Sequence, residues 1–153
     1  MTLAIADSIV FLADADPAMA DSIGNKAASL SELIGIGFDV PGGFCIPVDM
    51  FVAWRASGRI DAGMRRSILA AFARLRPPVA VRSSSPAEDR ADASFAGQYA
   101  TILGVRTGEE LIEAVETCWK SASSAAATVY RLEHDTAADA AMAVLVQELV
   151  PAT

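Results

Sequence analysis

The sequence predicts an α+β fold, a mixed sheet with packed helices, formed by residues 1–153 as a single domain. Three observations support it. Stretches of helical period alternate irregularly with short apolar strands, without strict βαβ order. The chain has 153 residues, 53% of them hydrophobic, enough to bury a core without disulfide staples. Residues 142–150 are apolar on both faces apart from Gln147 and Glu148, as an interior strand would be.

The elements follow in order. Residues 9–12 read as a short strand running into an acidic turn. Gly24-Asn25 precedes a helix whose apolar positions Leu30, Leu33 and Ile34 have helical spacing, and Gly35 and Gly37 end it. Val40-Pro41-Gly42-Gly43 is a turn and Phe44-Cys45-Ile46 a strand. A helix through Phe51 and Trp54 stops near Ser57-Gly58. Asp61 then caps another, striped by Met64, Ile68, Phe72 and Leu75, and Pro77-Pro78 forbids its continuation.

Residues 79–81 form a compact buried strand. A long loop of small and polar residues runs from Arg82 to about Gly97, and 99–105 return as a strand. Thr107 and Glu110 make a capping box that opens a helix with Leu111, Val115 and Trp119 on one face. A further helix is predicted over 123–132. There are no repeats, linkers or low-complexity tracts beyond an alanine bias.

Composition excludes several function classes. Twelve basic residues against nineteen acidic ones, net −7, argue against nucleic-acid binding, which needs a basic face. No apolar run approaches the roughly 18 residues of a membrane span. The first sixteen residues hold no Lys or Arg, and Asp7 interrupts their apolar run, so they make a poor signal peptide. Cys45 and Cys118 lie far apart among apolar neighbours, which suggests buried, reduced thiols in a cytoplasmic protein. The single histidine, His134, sits at a helix end and argues against a Ser-His-Asp triad or a multi-His metal site.

Four elements carry candidate chemistry. In Gly24-Asn25-Lys26 a cation stands at a helix start, where it opposes the macrodipole. An anion between the two would explain it, and so would a solvated surface lysine. Arg82, in Ala80-Val81-Arg82-Ser83-Ser84-Ser85, ends a buried strand. Its planar fork suits phosphate, with the serines as further donors, but an ion pair with Glu88 or Asp89 suits it equally.

The loop Asp92-Ala93-Ser94-Phe95-Ala96-Gly97-Gln98 lets a ligand approach its backbone and form an anion nest, with Thr101 four residues beyond Gly97. An ordinary surface loop anchored by Phe95 is the alternative. Gln147-Glu148-Leu149-Val150 ends the last strand, where backbone groups can pair with a purine edge; a polar residue at the end of a core strand is the bland alternative. Together the four suggest a nucleoside triphosphate site, without a general base or a nucleophile.

These residues resemble a family. Gly24-Asn25-Lys26-Ala27-Ala28-Ser29-Leu30, Val40-Pro41-Gly42-Gly43-Phe44, the Ala80–Asp89 run, Asp92–Gln98, Cys118-Trp119, Tyr130-Arg131 and Val144-Leu145-Val146-Gln147 occur in order. The pattern is similar to the N-terminal ATP-binding domain shared by phosphoenolpyruvate synthase, pyruvate phosphate dikinase and rifampin phosphotransferase. It covers about residues 21–150, and its Ser-Phe-Ala-Gly-Gln loop resembles the synthase and rifampin branches most.

The resemblance implies the first subdomain of an ATP-grasp fold, with ATP held between two subdomains. It implies that Lys26 and Arg82 contact phosphates and carry the catalytic role. Ser94, Gly97, Gln98 and Thr101 would bind phosphates through the small-residue loop. Gln147 would contact the nucleotide beside an adenine hinge at Glu148–Val150. It implies ATP and Mg2+ as cofactors, with the metal ligands on the other half of the cleft and none among these residues.

In the family a phosphoryl group passes from ATP to a histidine on a swivelling domain and then to an acceptor. This sequence shows no glycine-rich phosphohistidine motif and no second ATP-grasp half, so partners carrying them are implied. The stretch between Trp54 and Val79 is also shorter than usual. By itself the chain is expected to bind nucleotide weakly and to turn nothing over. The competing reading is a non-catalytic binding or regulatory module, or an inactive fragment, that keeps the fold.

Overall fold

Ala143–Glu148, within the stretch read above as an interior strand, supplies the middle of the sheet. The computed structural model describes residues 9–84, 101–122 and 142–149. Within them the order is β1 (Val10–Phe11), two 3-10 turns (Leu12–Asp14 and Pro17–Met19), α1 (Ala20–Gly35), β2 (Gly43–Ile46), α2 (Val48–Ser57), α3 (Ala62–Phe72), β3 (Val79–Ser84), β4 (Thr101–Val105), α4 (Gly108–Ala122) and β5 (Ala143–Glu148). The strands form one sheet in the order β1-β2-β5-β3-β4, and every neighbouring pair is antiparallel. The α+β expectation holds. Residues 142–146 are completely buried between β2 and β3.

Side chains alternate across the sheet, which gives it two differently covered faces. On one face Phe44, Ile46, Val79, Val81, Val144 and Val146 pack against α2, α3 and α4. This main core centres on three aromatic rings, with Trp54 and Trp119 at 5.3 Å between centroids and Phe51 at 6.1 and 6.4 Å from them. On the other face Cys45, Ala143 and Leu145 pack against Ile23, Ala27 and Ala28 of α1 and against Leu12.

Local signals mark several helix ends, although α3 stops at Phe72, before the Leu75 expected in its stripe and the Pro77-Pro78 expected to end it. The Asp61 carboxylate accepts from the Met64 N–H at 2.8 Å and starts α3. The Thr107–Glu110 box is reciprocal, at 3.2 and 3.1 Å. At the end of α1, Gly37 at φ +98° lets its own N–H and that of Phe38 turn back to the Ile34 and Leu33 carbonyls, a Schellman closure. Leu111, Val115 and Trp119 are fully buried, as their spacing predicts.

Two expectations need correction. The large residues of α1 do not mark its inner face. Ile23, Ala27, Ala28 and Ser31 are buried, Leu30 and Ile34 are only partly so, and Leu33 is 37% exposed. Small residues face the sheet because the helix lies close to it. The loop expected from Arg82 also begins later. Arg82, Ser83 and Ser84 belong to β3, and Ser83 and Ser84 are buried despite their polarity. The helix expected over 123–132 and His134 lie outside the described residues.

Both cysteines are buried and neither forms a disulfide. Burial disfavours the thiolate, raising the Cys45 thiol far above its usual range and pushing Cys118 from 9.0 up to about 12. A raised folded-state value keeps stability whole below the unfolded value, and stability falls as pH climbs towards the folded one. Urea midpoints are therefore expected to hold to about pH 9 and to decline above it. Cys118→Ala should flatten part of that decline, and an identical slope in the variant would remove Cys118 as its source. Among the described residues, no helix is long and apolar enough to cross a membrane.

Candidate functional site

The face of the sheet that carries α1 is only partly covered. The helix seals it over Cys45, Ala143 and Leu145. Beyond that patch the same face continues through Arg82 and Ala80 on β3, Gln147 on β5, and Thr101 on β4. Register makes these neighbours: Arg82 stands opposite Leu145 on one side and Thr101 on the other, and Ala80 stands opposite Gln147. Thr101 is exposed and Leu103, on the same strand and face, is 67% exposed. Arg82 and Thr101, far apart in the earlier reading, become direct cross-strand neighbours.

Arg82 is half-buried, and its Nε is shielded from solvent with no hydrogen-bond partner among the described residues, a condition shared by the indole N–H groups of Trp54 and Trp119 in the core. A buried N–H left unpaired costs free energy, and on Arg82, unlike the two indoles, the group borders the face that carries exposed Thr101. Glu88 and Asp89, the partners in the ion-pair reading, lie outside the described residues. So do Ser94, Gly97, Gln98 and Val150.

Ser83 and Ser84 are not the free donors expected, and Ser85 lies outside the described residues. Ser83 falls on the opposite face, in register with Val144 of the main core. The Ser84 hydroxyl is committed to α1: it donates to the Ile23 carbonyl at 2.8 Å and accepts from the Ala27 N–H at 3.2 Å.

Lys26 is the second residue after a break in α1. Gly24 has φ +84° and ψ 162°, so the regular helix restarts at Asn25. Lys26 is half-buried, and among the described residues it has no ion-pair partner. The break is tied to β3: a Cβ on Gly24 would stand 2.0 Å from the Ser84 carbonyl oxygen. The glycine is thus required by close approach as well as by its backbone angle.

At the end of β5 the Gln147 amide donates from Nε2 to the Pro41 carbonyl at 3.1 Å. A carbonyl can only accept, so this contact requires the NH2 end of the amide and leaves Oε1 as its acceptor end. The expected hinge is narrower than its sequence suggested. The Glu148 N–H is given to Gly42 at 2.9 Å and the Leu149 N–H to Pro78 at 3.1 Å. The Glu148 carboxylate accepts from the Arg76 N–H at 2.7 Å, on the side away from Gln147.

A cavity of about 490 Å³ opens beside Phe11, Phe38, Val40, Arg74 and Glu148. Neither Arg82 nor Thr101 lines it, so it is separate from the cationic face. Among the described residues, no group of three His, Cys, Asp or Glu side chains could hold a metal ion. The described face offers cations and an amide, not a carboxylate set for Mg2+.

Comparison with known proteins points the same way. A family model described as the pyruvate phosphate dikinase AMP/ATP-binding domain matches residues 56–153. The chain is 33% identical to a phosphoenolpyruvate synthase of Aeropyrum pernix, over 84% of this chain and 21% of the relative. It is 33% identical to a rifampicin phosphotransferase of a Streptomyces species, over 93% and 21% respectively. It is 34% identical to the prodigiosin synthesizing transferase PigC of Serratia marcescens, over 85% and 17%. The chain thus spans about a fifth of the length of these curated relatives. The first two alignments run over 175 and 184 residues, longer than the chain itself, so those relatives carry inserted residues that this chain lacks.

Proposed function

Since the chain belongs to the pyruvate phosphate dikinase AMP/ATP-binding domain family, we propose that its 153 residues form one jaw of an ATP-grasp cleft with phosphates at Arg82 and Lys26. Family membership makes it the ATP-binding portion of a dikinase-type phosphotransferase. The finer assignments are our reading. The observation that carries them is the shielded Nε of Arg82, unpartnered among the described residues and in register with exposed Thr101.

In this reading the Arg82 fork holds phosphate oxygens from the sheet side, and the Thr101 hydroxyl adds a donor on the next strand. The Lys26 ammonium approaches from the start of α1. The two cations offset charge on the β- and γ-phosphates as the phosphoryl group leaves. The Gln147 Oε1 accepts from a ribose hydroxyl or an adenine amino group. Ser94, Gly97 and Gln98 would add phosphate contacts, and Val150 a nucleotide contact, since the Glu148 and Leu149 N–H groups are already committed.

A Mg2+ ion would arrive with the nucleotide and would neutralise phosphate charge there; the described residues hold no carboxylate set for it. The chain matches about a fifth of its relatives' length, so the second jaw, the phosphoryl-accepting histidine and the final acceptor correspond, in this reading, to the parts of the relatives it does not align with. The acceptors differ among the relatives' names, so this domain does not set them.

Titration calorimetry with Mg-ATP, Mg-ADP and AMP tests the reading. The chain should bind ATP weakly and hydrolyse none. Lys26→Ala should weaken ATP about tenfold, roughly 1.4 kcal/mol, and leave AMP nearly untouched. Equal ATP affinity in the variant removes Lys26 from the site.

A further inference from the structure

We propose that Ser84 is a positioning residue that sets where Lys26 stands relative to Arg82. The proposal rests on the reading of those two residues as phosphate contacts. Ser84 and Arg82 are two positions apart on β3, so they share a face. The Ser84 hydroxyl holds the Ile23 carbonyl at 2.8 Å and the Ala27 N–H at 3.2 Å, residues that bracket Lys26. Both bonds are buried and span 61 and 57 residues of sequence.

An N-terminal helix cap normally comes from the residue just before the helix. Here that place is held by Gly24, which has no side chain and touches the Ser84 backbone. The capping hydroxyl comes from the strand instead. A local cap would hold the helix equally well. A cap borne by β3 also fixes the helix start to the strand that carries Arg82. Two cations sharing one triphosphate need that precision, because a displacement of about 1 Å at such a site can cost on the order of 100-fold in rate.

A double-mutant cycle on the full chain tests this, with Mg-ATP and AMP as probes. Ser84→Ala is expected to weaken ATP about tenfold and AMP less than about twofold. In the Lys26→Ala background, the ATP loss caused by Ser84→Ala should shrink below about twofold. A purely structural role would weaken both nucleotides alike and in both backgrounds, and that result overturns the proposal. Ser84→Cys keeps the packing and weakens both bonds. It is expected to show an intermediate loss confined to ATP, and it carries the same cycle should Ser84→Ala not fold.

ATP binding that responds to Lys26→Ala but not to either Ser84 variant overturns this proposal alone. Absence of ATP binding by the native chain overturns the phosphate reading and this proposal with it.

Discussion

Arg82→Met should raise the dissociation constant for Mg-ATP about 100-fold, roughly 2.7 kcal/mol, while leaving the chain as stable as before or slightly more so. The two effects have opposite signs for one reason. The Arg82 Nε is shielded from water and has no partner among the described residues. An unpaired buried donor costs about 1–3 kcal/mol, which methionine avoids while filling much of the space of the arginine stem. Calorimetry and urea denaturation read the two effects separately. A stability loss near 3 kcal/mol would instead reveal a buried ion pair, as the Glu88 or Asp89 reading requires.

Gly24→Ala is expected to be the most damaging single-methyl change in the described fold. Its φ of +84° is a conformation that L side chains resist, at about 1–2 kcal/mol. The added Cβ would stand 2.0 Å from the Ser84 carbonyl oxygen and 2.3 Å from the Ser84 Oγ. Backbone does not yield cheaply there, so α1 must lift from β3 and both Ser84 bonds must stretch. A loss of about 4 kcal/mol is expected, lowering the thermal midpoint by roughly 10 °C. An unchanged midpoint would show that the helix meets the strand differently.

What the sequence revealed follows the range of each interaction. Asp61 and the Thr107–Glu110 box were legible because each partner lies within three residues. The stripe Leu111, Val115 and Trp119 was legible because size and period agree. In α1 they disagree: Leu33 has the right period for a stripe, yet Ala27 and Ala28 face the sheet because close packing favours small side chains.

Ser84 was unreadable as strand and core, since a buried hydroxyl is tolerable only when it is paired, and its partners lie 57 and 61 residues away. The candidate residues Lys26, Arg82, Thr101 and Gln147 were each visible as types. That Arg82, Thr101 and Gln147 share one sheet face was not, because β5 inserts between β2 and β3 and no local pattern records strand order.

That strand order has a consequence for synthesis. β1–β2 and β3–β4 are two ribbons that pair within the sheet only through β5, the last strand among the described residues. A nascent polypeptide can form either ribbon early, yet it cannot unite them until Glu148 has left the ribosomal tunnel. At about 5–20 residues per second the wait is seconds long. Throughout it, the inner edges of both ribbons stand open to strands of neighbouring chains on the same polysome. Cotranslational protection of those edges is therefore a requirement that the finished fold no longer displays.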